Sequence, residues 1–83
     1  TMSRDEISKI VNDIFTGIFK LENEVISNET NSDDVKNWDS LNHIILITAI
    51  ENEFKIKFPL GEMSDLRSIG DIIDSCMIKL EGE

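Results

Sequence analysis

Three side chains in this sequence could do chemistry: the hydroxyl of Ser40, the imidazole of His43 and the thiol of Cys76. Ser40 stands in Asn37-Trp38-Asp39-Ser40-Leu41, where a polar run from Glu22 to Asn37 meets an apolar run from Leu41 to Phe54. Asp39 and Ser40 therefore fall where a helix N-cap is expected, which leaves Ser40 exposed at a helix start. Unpaired backbone N–H groups and the positive end of the helix dipole favour an anion at such a place, in particular a phosphate. A serine there is suited to carry a phosphoester.

The other chemistries read less well. His43 is the only histidine and could act as a base for Ser40. No Gly-x-Ser-x-Gly elbow surrounds the serine, however, and no oxyanion-hole signature accompanies it. On the helical wheel His43 falls with the core-facing arc, so a neutral polar residue at the mouth of the bundle is the better reading, and self-contained Ser-His catalysis is set aside. Cys76 shares the apolar side of a helix with Ile72 and Ile73, which suits an inert buried thiol better than a reactive one. The polar run Asn31 to Asp34 invites comparison with a calcium loop. Counting from Asn31, the central glycine position is Lys36 and the closing glutamate position is Asn42, so metal binding is also set aside.

The elements that must position Ser40 are helical. Ser3-Arg4-Asp5-Glu6 reads as a capping box. Ile7, Ile10, Val11, Ile14, Ile18 and Leu21 follow at helical spacing, with Phe15 and Phe19 widening the stripe, which predicts a first helix over about residues 4 to 20. Residues 22 to 37 predict a long loop, held to the core at Val25, Ile26, Val35 and Trp38. The helix from Leu41 to Phe54 carries two apolar arcs: Leu46, Ile47, Ile50 and Phe54 on one side, and Leu41, Ile44 and Ile45 nearly opposite. The first arc suits a core, and the second suits an exposed strip for a partner with an acidic rim. Lys55 to Pro59 breaks the helix, a short turn of helix is expected near residues 62 to 66, and Ser68 with Asp71 caps a last helix whose stripe is Ile69, Ile72, Ile73, Cys76 and Leu80. Nothing reads as a sheet. The expected fold is all-α: a small up-and-down bundle of three main helices plus one short helix, with a long loop between helices one and two.

With 83 residues the chain fits one domain, residues 1 to 83. The lone cysteine forms no internal bridge and suits a reducing compartment. No apolar run approaches the roughly 20 residues that span a bilayer and no leader pattern is visible, so a soluble cytoplasmic monomer is expected. The net charge of −9 is uneven: residues 21 to 54 hold one lysine against eight acids, while residues 1 to 20 balance. Such a field disfavours nucleic acid and anionic membranes and favours partners with basic patches.

The Asp39-Ser40-Leu41 triplet, followed by an apolar helix ending Ala49-Ile50-Glu51-Asn52-Glu53-Phe54, resembles the acyl carrier proteins. The likeness extends over nearly the whole chain, because length, acidity and helix order agree as well. It implies a carrier and not an enzyme, in which Ser40 bears a covalent 4′-phosphopantetheine arm donated by coenzyme A. Asp39 and Leu41 complete the motif. The arm's thiol would hold acyl groups as thioesters and present them to synthase, ligase or acyl-transferring enzymes, after a phosphopantetheinyl transferase has modified Ser40. Leu41 and Ile44 are the partner contacts this implies, and the second arc of the helix with its rim adds Ile45, Thr48 and Glu51 to the expected partner-binding residues. The sequence departs from the fatty-acid-synthesis carriers it resembles: Asn42, Ile45 and Asn52 stand where acids enrich the partner face, and Trp38 stands where a small residue is common. Those departures point to a dedicated pathway, such as polyketide, nonribosomal peptide, modified saccharide or special lipid synthesis. An aminoacyl or peptidyl carrier shares the architecture, and an acidic helical interaction module without a prosthetic group is the alternative from another class.

Overall fold

The structure, a computed structural model, describes residues 2–20, 27–35 and 37–81. It contains four helices, α1 (Arg4–Phe19), α2 (Ser40–Phe54), α3 (Leu60–Met63) and α4 (Ile69–Glu81), and among the described residues no strand. The long loop separates α1 from α2, as the sequence predicts. Leu21, expected to end the stripe of the first helix, and Val25 and Ile26, expected to hold the loop to the core, lie outside the described residues.

Local chemistry sets the helix ends. At α1 the Ser3 hydroxyl accepts the Glu6 N–H at 3.2 Å and the Glu6 carboxylate accepts the Ser3 N–H at 3.0 Å. These bonds from Ser3, the backbone one first, hold the Glu6 carboxyl below its ordinary value of 4.5. A second box opens α4, where Ser68 Oγ accepts from Asp71 N–H at 3.1 Å and Asp71 accepts from Ser68 N–H at 3.2 Å. Both long helices before α4 end on a lysine in the left-handed region, Lys20 at φ 54° and Lys55 at φ 57°.

The core joins all three long helices. Ile7, Val11, Phe15 and Phe19 of α1 pack with Leu46, Ile47, Ile50 and Phe54 of α2 and with Ile69, Ile72, Ile73 and Cys76 of α4. The i, i+4 row through Phe15 and Phe19 is the centre of the α1 face, and Ile10, Ile14 and Ile18 flank it half-buried. The two phenylalanines that the sequence placed at the edge of the stripe thus form its middle. Ile56, Phe58 and Leu66 close the α2–α4 connection from one side, and Val35 and Trp38 close the loop from the other.

The short helix begins earlier than residues 62 to 66. Pro59, at φ −59°, fixes the backbone for a helical first turn and its carbonyl accepts from Glu62 N–H and Met63 N–H at 2.9 and 3.1 Å. The turn ends at Met63, and Leu66 enters the core from the connection that follows. Lys79 ties this region to α4 through Glu62 at 3.0 Å, with its ammonium 5.0 Å over the Phe58 ring.

Candidate functional site

Ser40 is the first residue of α2 and is exposed. Its orientation follows from a frame of five neighbours, Asn37, Trp38, Asp39, Asn42 and His43. Asn37 takes the left-handed conformation at φ 74°, which Asn tolerates better than most residues. The Asn37 carbonyl accepts from Asp39 N–H at 2.9 Å and from the Asn42 side-chain amide at 2.7 Å. Asp39 is the N-cap: its carboxylate accepts from Asn42 N–H at 2.9 Å and its carbonyl from His43 N–H at 2.8 Å. Asp39 therefore has a structural role beside the serine, and the Ser40 hydroxyl stands outward at the helix start.

Trp38 supplies the base of this frame. It is buried, 5.0 Å from the Phe15 ring and 5.9 Å from the Phe19 ring between centroids. Its indole N–H donates to His43 Nδ1 at 2.9 Å, which makes Nε2 the protonated nitrogen of the neutral ring, and Nε2–H donates to the Met63 carbonyl at 2.9 Å. Both imidazole nitrogens are engaged, so His43 has no lone pair to offer the Ser40 hydroxyl. A Ser-His pair is thereby excluded by hydrogen-bond geometry, and His43 braces the loop, α2 and α3 together.

Beside Ser40 lies a cleft of about 670 Å³. Asn31 to Asp33 and Asp39 border it on the loop side, Trp38, His43 and Ile44 line it from α2 and its approach, and Leu60, Met63, Leu66 and Arg67 face them. The α3 side of this cleft was not legible from the motif, because nothing in the spacing of Leu60 to Arg67 relates them to Ser40.

The expected partner strip lies at the surface of α2. Leu41 is 67 % exposed and Ile44 and Ile45 are each 45 % exposed, while Thr48 is exposed on the same helix. Leu60 on α3, 78 % exposed, shares the cleft with Ile44. Glu51 does more than rim the strip, because its carboxylate accepts from Phe58 N–H at 2.6 Å and so fastens the segment after α2. Cys76 is buried, and burial pushes its thiol up to about 12 against a smaller opposing pull from Lys79. Among the described residues no three potential ligands gather into a metal site.

A short acidic bundle that presents a capped, exposed serine at the start of its second helix beside an apolar-floored cleft has the form of a carrier domain. The phosphopantetheine attachment site family model matches residues 9–76. The mitochondrial acyl carrier protein of Saccharomyces cerevisiae is 34 % identical over 77 residues, covering 88 % of this chain, and the chain spans only 62 % of that protein's length. The acyl carrier protein of Thermosynechococcus vestitus is 30 % identical over 73 residues, covering 88 % of this chain and 90 % of that protein. The solution structure of the holo acyl carrier protein from Geobacter metallireducens superposes with a TM-score of 0.82 at 37 % identity, covering 92 % of this chain and 87 % of that one. The chain belongs to the acyl carrier protein family, whose members are carriers without catalytic activity and hold a covalently attached 4′-phosphopantetheine. Members of this family meet phosphopantetheinyl transferases and acyl-handling enzymes.

The residues present fit such a group. Ser40 offers an exposed hydroxyl without a hydrogen-bond partner among the described residues, the first turn of α2 offers amide N–H groups that no intrahelical carbonyl can satisfy, and the cleft beside it offers apolar floor and polar rim.

Proposed function

We propose that Ser40 is the attachment point of the 4′-phosphopantetheine arm and that residues 1 to 83 act as one carrier domain delivering acyl intermediates to successive enzymes. The single observation that carries this reading is the exposed Ser40 at the first position of α2, held there by the Asp39 cap and opening on the cleft. The arm, when bound, supplies a thiol that holds an acyl group as a thioester. The protein's own residues hold the serine at the helix start, place its phosphodiester against amide N–H groups, and offer a docking strip beside it.

Leu41, Ile44 and Ile45, with Thr48 alongside, are the surface we assign to partner enzymes, and Glu51 belongs to it only at its edge because of its bond to Phe58. Asn42 and Asn52 in place of acids, and the apolar Ile45, support a dedicated pathway over general fatty-acid synthesis. Acyl cargo is favoured over aminoacyl or peptidyl cargo by the apolar floor of Trp38, Ile44, Met63 and Leu66. The cytoplasm is the proposed location, on the free Cys76 and its fit to a reducing compartment.

Incubation with acetyl coenzyme A and a promiscuous phosphopantetheinyl transferase tests the carrier reading. The expected product gains the mass of the acetylated arm and loses only the acetyl group on treatment with neutral hydroxylamine, the signature of a thioester. A protein that gains no mass is an interaction module without a prosthetic group.

A further inference from the structure

The cleft beside Ser40 is lined by three charged side chains: Asp33 and Asp39 on the loop side, and Arg67 on the connection between α3 and α4. Arg67 is exposed and is the one cation among those lining residues. Arg4, Lys9 and Lys79 each meet a carboxylate, at 2.7, 3.0 and 3.0 Å, whereas Arg67, like Lys20, Lys55 and Lys57, has no such partner among the described residues, and of these four only Arg67 lines the cleft. Its backbone is fixed from both sides. The Arg67 N–H donates to Asp71 at 3.1 Å, Leu66 before it is buried, and Ser68 after it belongs to the α4 capping box. A guanidinium with no carboxylate partner among the described residues is thus held on a fixed backbone at a cleft whose other charged side chains are Asp33 and Asp39.

An anionic group tethered to Ser40 would bring further negative charge next to Asp39 and Asp33, in a protein whose net charge is already −9. Repulsion from those carboxylates disfavours the seat unless a cation faces it, and a planar guanidinium binds two oxygens of a phosphate or carboxylate at once. We propose that Arg67 is the residue that binds the anionic oxygens carried on Ser40 and so holds the arm or its cargo in the cleft. The proposal rests on Ser40 as the attachment point. The oxygens belong either to the phosphodiester of the arm or to the free carboxylate of a dicarboxylic acyl cargo.

The test loads the wild type, Arg67→Gln and Arg67→Lys with coenzyme A, butyryl coenzyme A or succinyl coenzyme A, using a promiscuous transferase. Intact mass verifies loading, and melting temperatures are compared with those of the unmodified proteins, alongside the phosphorus NMR shift of the arm. Arg67→Gln is expected to lower the melting temperature of loaded protein by about 2 °C more than that of unmodified protein, an effect reduced by salt and partly restored in Arg67→Lys. An extra loss of equal size in all three loaded forms, with a moved phosphorus resonance, assigns Arg67 to the phosphodiester. An extra loss confined to the succinyl form assigns it to a cargo carboxylate. Equal losses in unmodified and all loaded forms, with the phosphorus resonance unmoved, overturn the assignment while leaving Ser40 as the attachment point. Wild-type protein that gains no mass overturns both.

Discussion

His43 shows how one side chain is withdrawn from chemistry by its neighbours. A histidine close to a serine on the same helix has the composition of a nucleophile and base, but the Trp38 indole N–H donates to its Nδ1 and the Met63 carbonyl accepts from its Nε2–H. Replacing it by Phe keeps a ring beside Trp38 and deletes both hydrogen bonds, leaving a buried indole N–H and a carbonyl unpaired. His43→Phe is expected to cost about 1 to 3 kcal/mol, read as a lowered melting temperature with a changed Trp38 emission. An unchanged melting temperature would show that the brace contributes nothing. Ile45 makes the opposite case, since at 45 % exposure it is only partly covered and a charge placed there reaches water. Ile45→Glu should shift stability by no more than about 1 kcal/mol while impairing acyl transfer by the native partner. Collapse of the fold would mean that Ile45 is core, and full transfer by a stable variant would remove it from the docking strip.

At the level of elements, the loop is fastened to α4 in a way that side-chain patterns do not announce. The first two amides of α4, Ile69 N–H and Gly70 N–H, donate to Thr30 and Asn28 carbonyls at 3.0 and 2.9 Å. Two orphan donors of a helix start are satisfied by a remote backbone. The approach needs a residue without a side chain, because a Cβ on Gly70 would stand 2.8 Å from the Asn28 carbonyl oxygen. Gly70→Ala is therefore expected to lose about 1 to 3 kcal/mol and to move the amide resonances of residues 28 to 30 first. Uniform shifts over the whole protein, or none, would contradict this account. The same contrast explains what the sequence could reveal. Capping boxes at Ser3 and Ser68, the two arcs of α2 and the polar-to-apolar boundary at Asp39 were legible, since each is a local pattern of residue types. The backbone pairing of loop with α4, the start of α3 at Leu60 and the far wall of the cleft were not. Those features depend on contacts between distant segments, or on how a proline carbonyl is satisfied, and leave no periodic trace.

Across the whole molecule, charge and shape act together. Most of the chain's excess of acids, eight against one lysine, lies in residues 21 to 54, which include Ser40 and the proposed partner strip, so the field is concentrated around the surface proposed for partners. Such a field chiefly accelerates encounter and is screened within a Debye length. The rate of Ser40 modification at low protein concentration should fall several-fold between about 0.05 and about 0.5 M salt, with no loss of melting temperature. A rate indifferent to salt would show that the acidity serves solubility alone. The central claim, that this bundle exists to present Ser40 at the start of α2 as a carrier's attachment point, is tested most directly by peptide mass mapping after modification from coenzyme A, run on wild-type and Ser40→Ala protein together. One phosphopantetheine on the peptide containing Ser40, and none on a folded Ser40→Ala variant, is the expected result; an arm on any other residue, or on the variant, would contradict it.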